Sequence, residues 1–149
     1  MLTEPQLATL KDNERSLLTG IRNAFGDRFQ INEKISEGKL FILIPNQQTN
    51  NYLELNCDGD LMILGVGEWC HDHPESVPNA IEIIKRIIHD NIIIWKVTHP
   101  NGYWYSGFYD VDEWKENKDL VDEPDTGIEP GDKLEKSTFS KTLENRIVE

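Results

Sequence analysis

The densest group of chemically capable side chains is Cys70-His71-Asp72-His73, closed off by Pro74. Thiolate, imidazole and carboxylate are the ordinary ligands of a tetrahedral metal such as zinc. His71 and His73 stand two apart, so an extended chain points them the same way, with Cys70, Cys57 or Asp72 to complete the set. The spacing departs from the common zinc pattern, in which one Cys-x-x-Cys pair is matched by a second. The plainer reading is a loop with two solvated histidines and a core cysteine. A nucleophilic Cys70 with His71 or His73 as its base is disfavoured, because near neighbours on a strand, where successive side chains face opposite ways, rarely meet in the right geometry. His89 and His99 are the other bases in the chain, and nothing in the sequence brings either to Cys70. No cofactor is expected; the alternative is a zinc ion held by Cys70, His71 and His73.

Two further patterns have local explanations. Asp58 and Asp60 bracket Gly59, and aspartates accept the hydrogen bonds of a tight turn. Gly65-Val66-Gly67 lacks the third glycine and the following helix of a dinucleotide loop, so a bend or bulge is expected there. The two cysteines, Cys57 and Cys70, are too few and too far apart in register for a disulfide framework, and reduced thiols are expected.

Aromatic residues gather at Tyr103, Trp104, Tyr105, Phe108 and Tyr109, with Trp114 just beyond. Large rings beside a charged rim are the usual composition of a binding hot spot. The charged rim is pronounced. Ten acids fall between Asp110 and Asp132 against Lys115 and Lys118, so this stretch carries −8 of the chain's net −12. The partner-binding residues expected from this pattern are Trp104, Tyr105, Asp110, Asp112, Glu113 and Trp114.

Net −12 disfavours nucleic-acid binding by phosphate neutralisation, and also disfavours anionic membrane surfaces. No run is apolar for long enough to cross a bilayer, and the start MLTEPQLATL has no secretory pattern; a cytoplasmic location is expected.

The elements that must position these residues are read from apolar spacing. Leu7, Leu10, Leu17, Leu18, Ile21 and Phe25 predict one helix over about 4–25, with Thr3 and Gln6 as a capping box and Gly26 as terminator. Glu37-Gly38-Lys39 predicts a hairpin turn, and Leu40–Ile44 a central strand buried on both faces. Tyr52–Cys57 and Leu61–Trp69 predict a hairpin across Asp58-Gly59-Asp60. The preferred register has a three-residue loop and pairs Cys57 with Leu61 and Leu55 with Ile63. Ser76 and Pro78 open a second helix whose stripe is Val77, Ala80, Ile81, Ile84, Ile87 and Ile88, with Asn91 as terminator. Ile92–Thr98 and Tyr103–Tyr109 predict a hairpin turned by Asn101-Gly102. Phe139, Leu143 and Ile147, spaced by four, predict a short terminal helix.

The fold class that follows is α+β, a mainly antiparallel sheet of about six strands with two helices in the order α-β-β-β-β-α-β-β. Residues 1–109 form the core domain and residues 110–149 an acidic C-terminal extension. Strands apolar on both faces leave one face of the sheet to be covered by the tail, a partner or a second copy.

Three functions follow. The first is a non-catalytic protein that binds a basic partner. In size, charge and lack of a catalytic motif it is similar to the immunity proteins that neutralise bacterial toxins, many of them nucleases. The second is a metal-binding protein or metal-dependent enzyme built on Cys70–His73. The third is a subunit of an obligate homo-oligomer, a homodimer in the simplest case.

Overall fold

The computed structural model describes residues 1–46, 49, 51–67, 70–112 and 128–149, with nothing described of the Cys70 side chain. The architecture is α+β with antiparallel strands, as expected, but the described residues form nine strands in two sheets and three helices.

The single helix expected over 4–25 is two helices. Helix α1 (Glu4–Leu7) carries the expected capping box, with the Thr3 N–H donating to Gln6 Oε1 at 2.8 Å. The chain then breaks and restarts as α2 (Asp12–Phe25). Leu2, ahead of α1, and Leu10, at the break, are both buried in the core. Gly26 ends α2 in right-handed geometry, its N–H donating to the Arg22 carbonyl.

The first sheet is a meander of β1 (Asn32–Ser36), β2 (Lys39–Ile44), β3 (Leu53–Asp58), β4 (Leu61–Val66) and β5 (Cys70–Asp72), each paired antiparallel to the next. Glu37 and Gly38 both take positive φ, the left-handed pair that a two-residue hairpin requires. The β3–β4 register corrects the expected one. Cys57 pairs with Met62 and Leu55 with Leu64, because Asp58 stays in the ladder opposite Leu61 and the turn is Gly59-Asp60. A slip of one residue exchanges faces. Met62, Leu64 and Val66 are therefore buried with Leu53, Leu55 and Cys57, while Leu61 is 59% exposed. The start of α2 holds this turn. Glu14, almost fully buried, accepts from the Gly59 N–H at 3.2 Å, Asn13 donates to the Gly59 carbonyl, and Lys11 pairs with Asp58 at 2.8 Å. Cys57 is a free, buried thiol whose burial, beside Glu14 and Asp58, pushes its pKa up to about 11.

The expected long strand Leu61–Trp69 turns at Gly67, which takes φ of 62° and donates to the Tyr52 carbonyl. The return makes the additional strand β5. Helix α3 (Val77–Ile88) is capped by Ser76 as expected, and buries Ala80, Ile84, Ile87 and Ile88. Its left-handed terminator is Asp90, not Asn91. A short polar side chain tolerates this conformation, and here the Asp90 carboxylate also accepts from the Ser140 N–H at 2.9 Å.

The second sheet runs β7-β6-β8-β9, from β6 (Ile92–Thr98), β7 (Trp104–Asp110), β8 (Lys133–Ser137) and β9 (Thr142–Ile147). The terminal helix expected from Phe139, Leu143 and Ile147 is instead the β8–β9 hairpin. Phe139 is buried at its turn, whereas Leu143 and Ile147 are exposed. The strands beyond residue 109 complete the sheet, and β8 pairs with the central strand β6 along Ile94–Thr98.

One apolar core joins the parts. Ile92 and Ile94 reach it from the second sheet, Leu40, Leu55 and Leu64 from the first, and Leu17, Ile21 and Ile84 from the helices. Phe139 enters it from the far end of the chain and meets Phe29 edge to face at 6.4 Å. Asn51 fastens the same place, donating to Ser137 Oγ and the Thr138 carbonyl at 2.8 Å each. Among the described residues, no helix is long and apolar enough to cross a membrane.

Candidate aromatic surface of the second sheet

The site is built by one hairpin and one late strand. The Asn101-Gly102 turn forms as expected, with Gly102 at φ of 90° and the His99 N–H donating to the Tyr103 carbonyl. Pairing of Val97 with Tyr105 and of Trp95 with Gly107 sets these residues on the face of the sheet turned away from Ile92 and Ile94. Leu134, opposite Val97, joins them from β8.

Glycine at 107 makes room for a ring. A Cβ there would stand 2.6 Å from Cζ2 of Trp95, so the indole lies directly on the Gly107 backbone. Trp95 also meets Tyr105 edge to face at 5.7 Å. Gly107→Ala is expected to push the indole off its seat at about 1–3 kcal/mol. A lower urea midpoint together with a changed near-ultraviolet circular dichroism band would show it; an unchanged band would mean that the ring does not rest there.

At the turn end, His99 stacks on Tyr103 with centroids 5.7 Å apart and planes 7° from parallel, and tilts against Tyr105. Its Nδ1 lies 2.7 Å from Oδ1 of Asp132, a carboxylate with 1% of its side chain accessible. Asp132 also accepts from the Glu129 N–H at 2.8 Å. That N–H, with His99, holds the Asp132 carboxyl below its ordinary pKa against the pull of burial. Burial, with Asp132 and Tyr103 nearby, raises the Tyr105 hydroxyl above its ordinary value. The carboxylate fixes the plane of His99, and His99 fixes the plane of Tyr103. The product is an oriented aromatic platform at the tip of a hairpin. On the other face Lys96 Nζ sits 4.8 Å over the Trp104 ring.

The residues expected to bind a partner are placed as follows. Trp104 is 45% exposed, and Tyr105, next to it, faces the opposite side of the sheet, so the two do not share one patch. Asp110 is turned toward α3 and clasped by Arg86, with Nη2 at 2.6 Å from Oδ1 and Nε on Oδ2. Asp112 takes the same guanidinium at 3.3 Å. Glu113 and Trp114 lie outside the described residues. Of the expected metal ligands, His71 and His73 approach edge to face at 5.2 Å, and the Cys70 side chain lies outside the described residues. Among the described residues no three His, Cys, Asp or Glu side chains gather as a metal site.

Sequence reasoning missed Trp95, His99 and Asp132, and named Tyr103 in the aromatic cluster without carrying it into the expected partner-binding set. The available signal was His99 and Tyr103 bracketing Pro100-Asn101-Gly102; Asp132 becomes a neighbour only once β8 pairs with β6.

No protein-family model, no curated protein and no solved structure matches the chain.

Proposed function

We propose that this chain is a non-catalytic, acidic protein-binding protein, an inhibitor or immunity-type neutraliser of a basic partner such as a toxin nuclease. The observation that carries the reading is the exposure of large rings on both faces of the hairpin tip, Tyr103 at 64% beside His99 and Trp104 at 45% on the opposite face. Large aromatics held on a rigid element are the side chains that anchor interfaces at low entropic cost. They stand on the strand that leads directly into the net −8 stretch. Acids there would speed encounter with a basic surface and exclude wrong partners, while the rings would supply the short-range contact. Because Arg86 engages Asp110 and Asp112, the charge offered to a partner comes chiefly from the acids that follow them in sequence.

The test is capture from native lysate with the full chain, identifying bound proteins by mass at low and moderate salt. Two variants accompany it: Tyr103→Ala with Trp104→Ala, and one with the acids of 113–125 changed to their amides. One basic protein is expected, weakened by salt and by the amide variant, and lost with the ring variant. Capture that is indifferent to both variants would overturn the reading. A chain cut after Tyr109 is no substitute, since it also removes β8 and Phe139.

A further inference from the structure

Among the described residues four strands form the sheet edges, and they differ in what they offer. Edge strand β1 is tied to the N-terminus through Glu33, which accepts from the Leu2 N–H. Edge strand β5 has three residues and lies against β7, the edge of the other sheet. Strand β9 is different: five of its six residues are exposed, including Leu143 and Ile147 at 48% and 59%. A long exposed edge carrying apolar side chains is a template for another strand.

Backbone direction and charge together select which strand. Val148 donates its N–H to the Asp132 carbonyl, and its own carbonyl accepts from the Gly131 N–H. In an extended run these directions alternate, so the N–H and C=O groups of Asn145 and Ile147 point outward. Consider antiparallel pairing of this edge with its own copy. An axis falling between two residues would set inward-turned groups against outward-turned ones and leave the ladder unmade. An axis on Glu144 sets Glu144 against itself, and an axis on Arg146 sets Arg146 against itself; both put like charges opposite. An axis on Asn145 sets Glu144 of each copy opposite Arg146 of the other, and brings Leu143 beside Ile147 at both ends. Of the axes on Glu144, Asn145 and Arg146, the one on Asn145 alone matches hydrogen bonds, charges and apolar side chains at once.

We propose that the β9 edge is a homodimer interface, in which Leu143–Ile147 of two copies pair antiparallel about a two-fold axis at Asn145 and join the two four-stranded sheets into one. The β8–β9 ladder runs without a break from Glu144 to Ile147, and Leu143, skipped where Lys136 pairs with Glu144 and Ser137 with Thr142, marks the end of the proposed pairing. The inference is independent of the aromatic surface at the opposite side of the sheet.

The experiment is sedimentation of the full chain from micromolar to millimolar concentration, with Glu144→Arg, with Arg146→Glu, and with both together. Each single reversal sets like charges opposite twice per dimer and is expected to weaken association about tenfold. The double variant restores the opposite pairing and is expected to return to wild-type association. A wild-type chain that stays monomeric throughout, or single reversals without effect, or a double variant no better than the singles, would each overturn the proposal. Should a single variant fail to fold by circular dichroism, Asn145→Cys decides. Opposed residues of such a ladder stand about 5.5 Å apart between Cα atoms, within the span of a disulfide. Mild oxidation is then expected to give a covalent dimer absent from the wild type, and a monomeric product would refute the register.

Discussion

Phe139→Ala is expected to destabilise the protein by about 3–5 kcal/mol, lowering the urea midpoint without changing the slope. The residue is 2% exposed and lies in the main core, with its ring edge against Phe29. Its backbone carbonyl accepts from Thr49 Oγ1 at 2.7 Å and from Asn46 Nδ2, so the turn cannot easily follow a shrunken side chain inward. A cavity would remain, which is what sets the upper end of the range. A shift equivalent to less than about 1 kcal/mol would mean that the β8–β9 turn does not seat in the core. The same packing says that residues beyond the acidic stretch are part of the folding unit.

Arg22→Ala is expected to cost about 3–5 kcal/mol at neutral pH, and the deficit should shrink in acid. Glu33 has 2% of its side chain accessible, and Arg22 holds it through two bonds, Nε to Oε1 at 2.6 Å and Nη2 to Oε2 at 2.5 Å. Burial alone would raise the Glu33 pKa; the Arg22 guanidinium, the Leu2 N–H and the N-terminal charge outweigh it and hold the carboxyl below its ordinary range. A depressed carboxyl pKa contributes stability that is present above the unfolded value, about 4.3, and is lost as pH falls through the folded value. The wild type should therefore weaken on acidification. In the variant, an unpaired buried carboxylate gains by taking a proton, so the gap between the two unfolding curves shrinks as pH falls toward the unfolded value of about 4.3 and goes on closing below it, through the depressed folded value of the wild type. Urea midpoints measured across this range check it; a gap that does not change with pH would remove the ion pair as the cause.

Much of the fold was legible wherever one element carried its own periodicity. Helix α3 and the β6–β7 hairpin follow from the Ile84–Ile88 stripe and from Asn101-Gly102, because burial of one face and a positive φ are local demands. The break between α1 and α2 was not legible: Leu7 and Leu10 continue the helical spacing, with no glycine or proline at the interruption. What interrupts the helix is tertiary, the grip of Glu14 and Asn13 on the Gly59 turn. Strand β9 was hidden for a related reason. Its side chains are mostly exposed on both faces, so its pattern carries no period of two, and its conformation is imposed by pairing with β8. The expected site was legible in residue type but not in grouping. Trp104 and Tyr105 are neighbours in sequence and strangers in space, while His99 and Asp132 are the reverse.

The order of the second sheet has a consequence for how the molecule assembles and varies. Strand β6 is flanked by β7, its immediate successor, and by β8, which arrives only after the chain between Asp110 and Lys133 has closed back on it. The first sheet, by contrast, pairs each strand with the next and closes only short connections. Pairing of β6 with β8 is thus the costly closure, and the meander has the means to form ahead of it. That closure also sets a permissive rule for change. The entropic cost of joining two fixed ends rises by only about 0.6 kcal/mol when a connection doubles in length. The number of residues between Asp110 and Lys133 should accordingly bear more on how fast this pairing forms than on how stable it is.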